Sequence, residues 1–271
     1  MMNRSFWKMH GAGNDFILVD DRDESFPTQD RDWMERIASR RFGVGCEGII
    51  LIQPSNNHDF RMRFFNPDGG EAEMCGNGAR CVARLAHEIS IAPSDMTFDT
   101  VAGPIQASVN DDQVLLRMTD PKDVQLNQQV SINDDIVAYH FADTGVPHVV
   151  HFVEDVDSVD VCGLGAAIRY HDRFAPAGTN VNFVQVTGTH TIRVRTYERG
   201  VEEETLACGT GIVASALFAG LTGQCRPPIE VTPRSGDVIR VNYAMNDDSP
   251  VNITMLGPAV HVYQGTLSAP G

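Results

Sequence analysis

Residues 74–78 read Met74-Cys75-Gly76-Asn77-Gly78 and residues 207–211 read Ala207-Cys208-Gly209-Thr210-Gly211, so one short phrase occurs twice with its cysteines 133 residues apart. Each copy opens a Gly-rich turn that leads into a run of small and apolar residues. Upstream, Arg61-Met62-Arg63-Phe64-Phe65-Asn66 precedes the first copy and Arg193-Val194-Arg195-Thr196-Tyr197-Glu198 the second, each followed by an acidic loop. Arg61 lies 14 residues before Cys75 and Arg193 lies 15 before Cys208. Downstream, Thr100 follows Cys75 by 25 residues and Thr232 follows Cys208 by 24. Gly11 precedes Phe16 by the same five residues that separate Gly178 from Phe183. A duplicated half-molecule accounts for these matches.

Residues 61–65 and 193–197 alternate polar and apolar side chains, the period of a half-buried strand. Residues 17–20, 48–53, 97–100, 114–118, 183–186 and 238–241 also read as strands. Residues 209–221 contain no charged residue, a composition that a helix tolerates only when enclosed on every side. Residues 77–89 are its counterpart, with Arg80, Arg84 and Glu88 giving a wetter face. The expected fold class is α+β, with two pseudo-symmetric domains, each a curled sheet around a central helix. Residues 121–135 are polar and lie between the copies, as a linker or as the start of the second domain.

Composition narrows the function. With 271 residues and 42% hydrophobic content, the chain exceeds the ~100–200 residues of a typical domain and has room for two. Twenty-one Lys and Arg against 36 Asp and Glu give a net charge of −15, with no sustained basic run. This speaks against nucleic acid or an anionic membrane as partner, since both need basic patches. Residues 1–10 lack the ~7–15-residue apolar stretch of a signal peptide, and no apolar run approaches the ~20 residues that span a bilayer. The cytoplasm is the expected compartment. There, the six cysteines at 46, 75, 81, 162, 208 and 225 are expected to stay reduced. They include no C-x-x-C pair and no Cys/His spacing suited to zinc, so no metal is expected.

Two cysteines at helix N-termini suggest a chemistry. The partial positive charge of a first helical turn favours the thiolate over the thiol. Glycines at 76, 78, 209 and 211 keep side chains away from backbone N–H groups, which can then cradle a carboxylate. A pair of such thiols suits inversion of a carbon centre: one removes a proton from one face while the other delivers a proton to the opposite face. The carbanion formed beside a carboxylate would be stabilised by the N–H donors. No dinucleotide fingerprint, P-loop or Schiff-base lysine is evident, and no cofactor is expected.

The motifs Lys8-Met-His-Gly-Ala-Gly-Asn-Asp-Phe16, Phe65-Asn66-x-Asp68-Gly69, Met74-Cys-Gly-Asn-Gly-Ala-Arg-Cys81, Gly145-x-Pro147-His148, Asn182-Phe183, Tyr197-Glu-Arg-Gly200 and Ala207-Cys-Gly-Thr-Gly211 together resemble the diaminopimelate epimerase family over essentially the whole chain. The resemblance implies a cofactor-independent homodimeric enzyme that interconverts LL- and meso-diaminopimelate, on the route to lysine and peptidoglycan precursors. It implies mixed sheets, an active site in the cleft between domains, and a last strand returning to the first domain. The domains would be residues 1–120 with about 258–271, and residues 121–257. Cys75 and Cys208 match the catalytic pair. Asn14, Asn66, Gly76, Asn77, Asn182, Glu198, Arg199, Gly209 and Thr210 match substrate-holding positions, and His148 and Glu198 match residues that tune the cysteines. Some relatives carry Asn in place of Val146 and a side-chain amide in place of Gly48.

Other readings stand beside this one. A proline racemase-like or phenazine-type isomerase would share the shape, but Arg199 and several asparagines favour a ligand polar at both ends. A non-catalytic amino-acid binding module would bind without exchanging the α-proton. A redox pair of Cys75 and Cys81 is geometrically poor, since positions six apart on a helix lie about 240° apart around its axis. Cys46, Cys81, Cys162 and Cys225 read as small buried residues. Arg61, Arg63, Arg193 and Arg195 read as a solvated or interdomain face, and residues 202–204 as a solvated acidic loop.

Overall fold

Burial alternates along residues 60–65, where Met62 and Phe64 are buried and Arg61 is exposed, and the same period builds most of the strands. A computed structural model describes residues 3–133, 135–247 and 249–268. The chain divides into two units, Met1–Leu116 with Gly257–Gly271, and Arg117–Leu256.

The first unit runs β1 (Arg4–Gly11), β2 (Asn14–Asp20), α1 (Arg31–Ala38), β3 (Gly48–Gln53), β4 (Phe60–Phe65), β5 (Glu71–Ala72), α2 (Gly76–Glu88), β6 (Asp95–Thr100), β7 (Gly103–Asn110) and β8 (Gln113–Arg117). The second runs β9 (Lys122–Ile132), β10 (Asp135–Asp143), β11 (Pro147–Phe152), α3 (Val161–Arg169), β12 (Asn180–Gly188), β13 (Thr191–Glu198), β14 (Glu203–Thr205), α4 (Gly209–Leu221), β15 (Ile229–Thr232), β16 (Ile239–Asn246) and β17 (Ser249–Pro258). The closing strand β18 (Val260–Leu267) pairs with β1.

The strands of each unit are mixed in direction and share one topology. Antiparallel pairs join β1 to β2, β3 to β4 and β6 to β7, while β2–β3 and β4–β6 are parallel, linked through α1 and α2. In the second unit β10–β11, β12–β13 and β15–β16 are antiparallel, and β11–β12 and β13–β15 are parallel through α3 and α4. Helix α2 touches β1, β2, β3, β4 and β7, and α4 touches β10, β11, β12, β13, β15 and β16. A helix reaches that many strands only if the sheet curls around it. Strand β3 is buried on both faces, as are most of β2 and the first half of β12. Ile17, Val19, Ile49 and Leu51 pack with Met34 and Ile37 of α1, and Val181 and Phe183 pack with Val161 and Ile168 of α3.

The registers match residue for residue. Phe16 pairs with Gly48 as His148 pairs with Asn180, and Ile49 pairs with Phe65 as Val181 pairs with Tyr197. Phe16 therefore corresponds to His148, Ile50 to Asn182, Asn66 to Glu198 and Asn14 to Val146. This corrects the Gly11/Gly178 match: Phe16 lies on β2, whose counterpart is β11, whereas Phe183 lies on β12. The equal spacing there is coincidental.

Other expectations also change. Residues 122–132, read as a linker or as the start of the second domain, lie in the second unit and form β9, paired antiparallel with β10 despite their polarity. Glu204 is not in a solvated loop. It lies in β14 with a side chain only 7% exposed, gripped by both guanidinium arms of Arg195 at 2.7 Å and by Arg234 at 3.1 Å. Arg63 grips Glu71 in the same way at 2.8 Å. From Arg63 to Glu71 is eight residues and from Arg195 to Glu204 is nine, so the one-residue spacing difference between copies falls between these ion-paired anchors. Among the described residues, no helix is long and apolar enough to cross a membrane.

Candidate active site

Helices α2 and α4 both begin on a cysteine. Cys75 (φ −136°, ψ 119°) and Cys208 (φ −109°, ψ 112°) are extended N-cap residues, and neither side chain caps its helix. By contrast, Asp30 accepts from the Trp33 N–H at 3.0 Å to cap α1, and Asp160 accepts from the Gly163 N–H at 2.9 Å to cap α3. A first turn with no capping side chain presents its backbone N–H groups to an anionic ligand, and the helix dipole favours that charge. Gly76, Asn77, Gly209 and Thr210 occupy those turns.

In the first unit the Cys75 Sγ donates to Asn14 Oδ1 at 3.4 Å, and the Asn77 amide donates to the same oxygen at 3.4 Å. Asn77 Oδ1 accepts from Arg80 at 2.9 Å, and Asn14 Nδ2 donates to the Glu47 carboxylate. Arg80 is wholly buried, with its Nε donating to Pro258 O at 3.1 Å. It is thus not part of a wetter face on α2. Sequence reasoning missed its role, although its position three residues after Asn77 places both on one side of the helix. Asn66 is exposed, at the start of a turn in which its N–H donates to Gly70 O at 2.8 Å. Gly48 leaves space for the Phe64 ring, which a Cβ would strike; a side-chain amide has no room there.

In the second unit Cys208 is buried, and its Sγ lies 3.6 Å from Thr210 Oγ1. Thr210 Oγ1 lies 2.9 Å from His148 Nε2. His148 is completely buried, and burial, then the nearby Arg199 charge, push its pKa down to about 3. It is therefore neutral at working pH. His148 reaches the cysteine through Thr210. Asn182, expected to hold substrate, is also completely buried. Its Nδ2 donates to Val149 O at 2.9 Å and to His148 Nδ1 at 3.1 Å, and its Oδ1 accepts from Thr196 at 3.0 Å. Through these bonds Asn182 supports His148 from a buried position. Glu198 accepts from the Thr205 hydroxyl at 2.8 Å. The Arg199 N–H donates to Asn180 Oδ1 at 2.9 Å and its guanidinium to Ala177 O at 3.1 Å. Val146, half-buried just before β11, presents no hydrogen-bonding side chain where the first unit has Asn14.

The remaining cysteines differ in kind. Burial pushes the thiol pKa of Cys46 up to about 11 and that of Cys81 to about 12, which keeps both protonated and disfavours a Cys75/Cys81 redox pair. No group of three or more His, Cys, Asp or Glu among the described residues is placed to hold a metal ion.

Residues 6–124 and 140–262 match the family described as diaminopimelate epimerase. The chain belongs to the diaminopimelate epimerase family. It is 42% identical to a diaminopimelate epimerase from Aquifex aeolicus, with 97% of each chain covered, and 42% identical to one from Hydrogenobaculum sp., with 96% of this chain and 97% of that one covered. The fold is shared more widely. A phenazine biosynthesis protein of the PhzF family from Bacillus anthracis superposes with a TM-score of 0.74 at 19% identity, covering 99% of this chain and 100% of the other. Membership of the family places two cysteines, each at the head of an enclosed helix, in an isomerase.

Proposed function

We propose that the chain interconverts LL- and meso-diaminopimelate without a cofactor, with Cys75 and Cys208 as the two acid–base groups. The observation that carries this reading is the duplicated cysteine N-cap with an uncapped first turn, in a chain of this family. One sulfur, as thiolate, takes the α-proton and becomes a thiol. The other, as thiol, delivers its proton to the opposite face and becomes a thiolate, so charge and protons balance. Backbone N–H groups at Gly76, Asn77, Gly209 and Thr210 hold the carboxylate on the reacting carbon and stabilise charge that builds there. Arg199 offers a fork for the distal carboxylate, and Asn14, Asn66 and Glu198 supply polar contacts for carboxylate and ammonium groups.

A biosynthetic, cytoplasmic role in making lysine and peptidoglycan precursors fits this activity. A homodimer fits exposed Val262 and Tyr263 on β18 of the first unit. Incubating the purified chain with LL-diaminopimelate and no additive, then resolving the isomers by chiral chromatography, is expected to yield meso-diaminopimelate while L-proline stays unchanged. Folded protein that epimerises proline, or neither compound, would overturn the assignment.

A further inference from the structure

The hydrogen bonds that reach the two cysteines are built differently. In the first unit the hydrogen bonds run between two ends that fix their direction. Arg80 can only donate, so Asn77 turns its oxygen toward Arg80 at 2.9 Å and its Nδ2 toward Asn14. Glu47 accepts from Asn14 Nδ2, so Asn14 has only its oxygen to offer Cys75, at 3.4 Å. In the second unit, Val149 O can only accept, which fixes the Asn182 Nδ2 toward it at 2.9 Å and toward His148 Nδ1 at 3.1 Å. Neutral His148, accepting at Nδ1, must carry its proton on Nε2 and donate it to Thr210 Oγ1 at 2.9 Å. The Thr210 hydroxyl accepts from His148 through one lone pair and lies 3.6 Å from the Cys208 sulfur, with its own hydrogen free to turn toward it.

The duplication shows that this polar pair is a departure from the common plan. At the positions of His148 and Asn182 the first unit carries Phe16 and Ile50, which pack beneath Gly78 as His148 and Asn182 pack beneath Gly211. An apolar pair fills that space in one half, so the buried polar pair in the other is not needed for packing. Its cost is offset only where every member is satisfied, and the chain ends at a sulfur.

We propose that Thr210 is a hydrogen-bond donor to Cys208 and Asn14 a fixed acceptor at Cys75, so that the resting enzyme carries its thiolate on Cys208 and its thiol on Cys75. A donor stabilises a thiolate and an acceptor stabilises a thiol. The helix N-terminus is common to both and does not discriminate. Charge is mixed around Cys75, where Glu47 stands behind Asn14 and the buried Arg80 behind Asn77, while Arg199 acts on the His148 side, so the distinction rests on the hydrogen bonds. This inference rests on the acid–base reading of the two cysteines. Its consequence is that the resting enzyme is primed for the isomer whose α-proton faces Cys208. Each inversion leaves the proton on Cys208 and the charge on Cys75, and proton exchange with solvent returns the resting form. Thr210, with His148 and Asn182 behind it, is a positioning residue.

The test is alkylation with a substoichiometric amount of iodoacetamide, without substrate, followed by peptide mass mapping of the initial rates. It needs no turnover, so it stands apart from the substrate assignment. Accessibility alone would label the half-buried Cys75 ahead of Cys208, which is 7% exposed. The expected result is the reverse, with Cys208 labelled at least tenfold faster. In Thr210→Val the preference is expected to collapse toward parity, and Thr210→Ser, which keeps the hydroxyl, to restore it. Faster labelling of Cys75 in the wild type would overturn the proposal even if the valine variant fails to fold. A preference unchanged in folded Thr210→Val would overturn the role of Thr210.

Discussion

Replacing either Cys75 or Cys208 by alanine is expected to lower kcat for inversion by on the order of 10²- to 10⁴-fold, the usual worth of a positioned acid or base. Both groups are needed in each turnover, one to take the proton and one to give it. The double variant is therefore expected to be about as slow as either single one, because residues that act as a unit are not additive. Stability should change little for Cys75, which is only half-buried. Cys208 is buried, but removing one sulfur leaves a small cavity in a cap position and not in the body of the helix. Initial rates by chiral separation, with urea unfolding as control, provide the check. A folded single variant retaining more than a tenth of wild-type kcat would count against a two-thiol mechanism.

The second large effect concerns Gly211. A Cβ there would run into Asn182 Oδ1 and come to 3.3 Å from His148 Cε1. Both neighbours are wholly buried and held by hydrogen bonds, so neither can yield without breaking the path to Thr210. Overpacking of this kind costs roughly 1–3 kcal/mol, more than the ~1 kcal/mol that alanine gains over glycine inside a helix. Gly78 is the internal comparison. A Cβ there would meet the end of the Ile50 side chain at 2.8 Å and the Met62 methyl at 3.5 Å, which are movable apolar groups. Gly211→Ala is thus expected to be destabilised and slow, and Gly78→Ala close to wild type in stability. Urea midpoints and kcat for the pair measure this. Equal midpoints would mean that the polar cluster under α4 is looser than its hydrogen bonds indicate.

Much of this molecule was legible because duplication reinforces weak signals. A single Cys-Gly-x-Gly phrase says little, whereas two with matched upstream strands located both enclosed helices and both candidate cysteines. What stayed hidden depended on register. Phe16 and His148 occupy equivalent places, yet nothing in their types links them, and the glycine spacing suggested a different match. Asn182 was matched to a substrate-holding position by the family resemblance; only the strand pairing reveals that it lies buried, turned toward α4, and bonded to His148. Arg80 was read from its charge as solvated, but a donor to Asn77 and to the Pro258 carbonyl makes its burial tolerable. Strand β9 was obscured by its polar composition, since many of its side chains are exposed and only the pairing with β10 defines it.

The central claim is inversion by two groups on opposite faces, and deuterium entry tests it most directly. LL-diaminopimelate incubated in D2O with the wild-type chain and no added cofactor, sampled early in the reaction by NMR and mass spectrometry, should give meso product with one deuterium at the inverted α-carbon, while the remaining LL substrate stays protonated. That pattern arises because the proton taken by one sulfur is not the one delivered by the other, whose S–H has exchanged with solvent. Product that keeps its original α-proton, or a folded enzyme that admits no deuterium at all, would contradict the account.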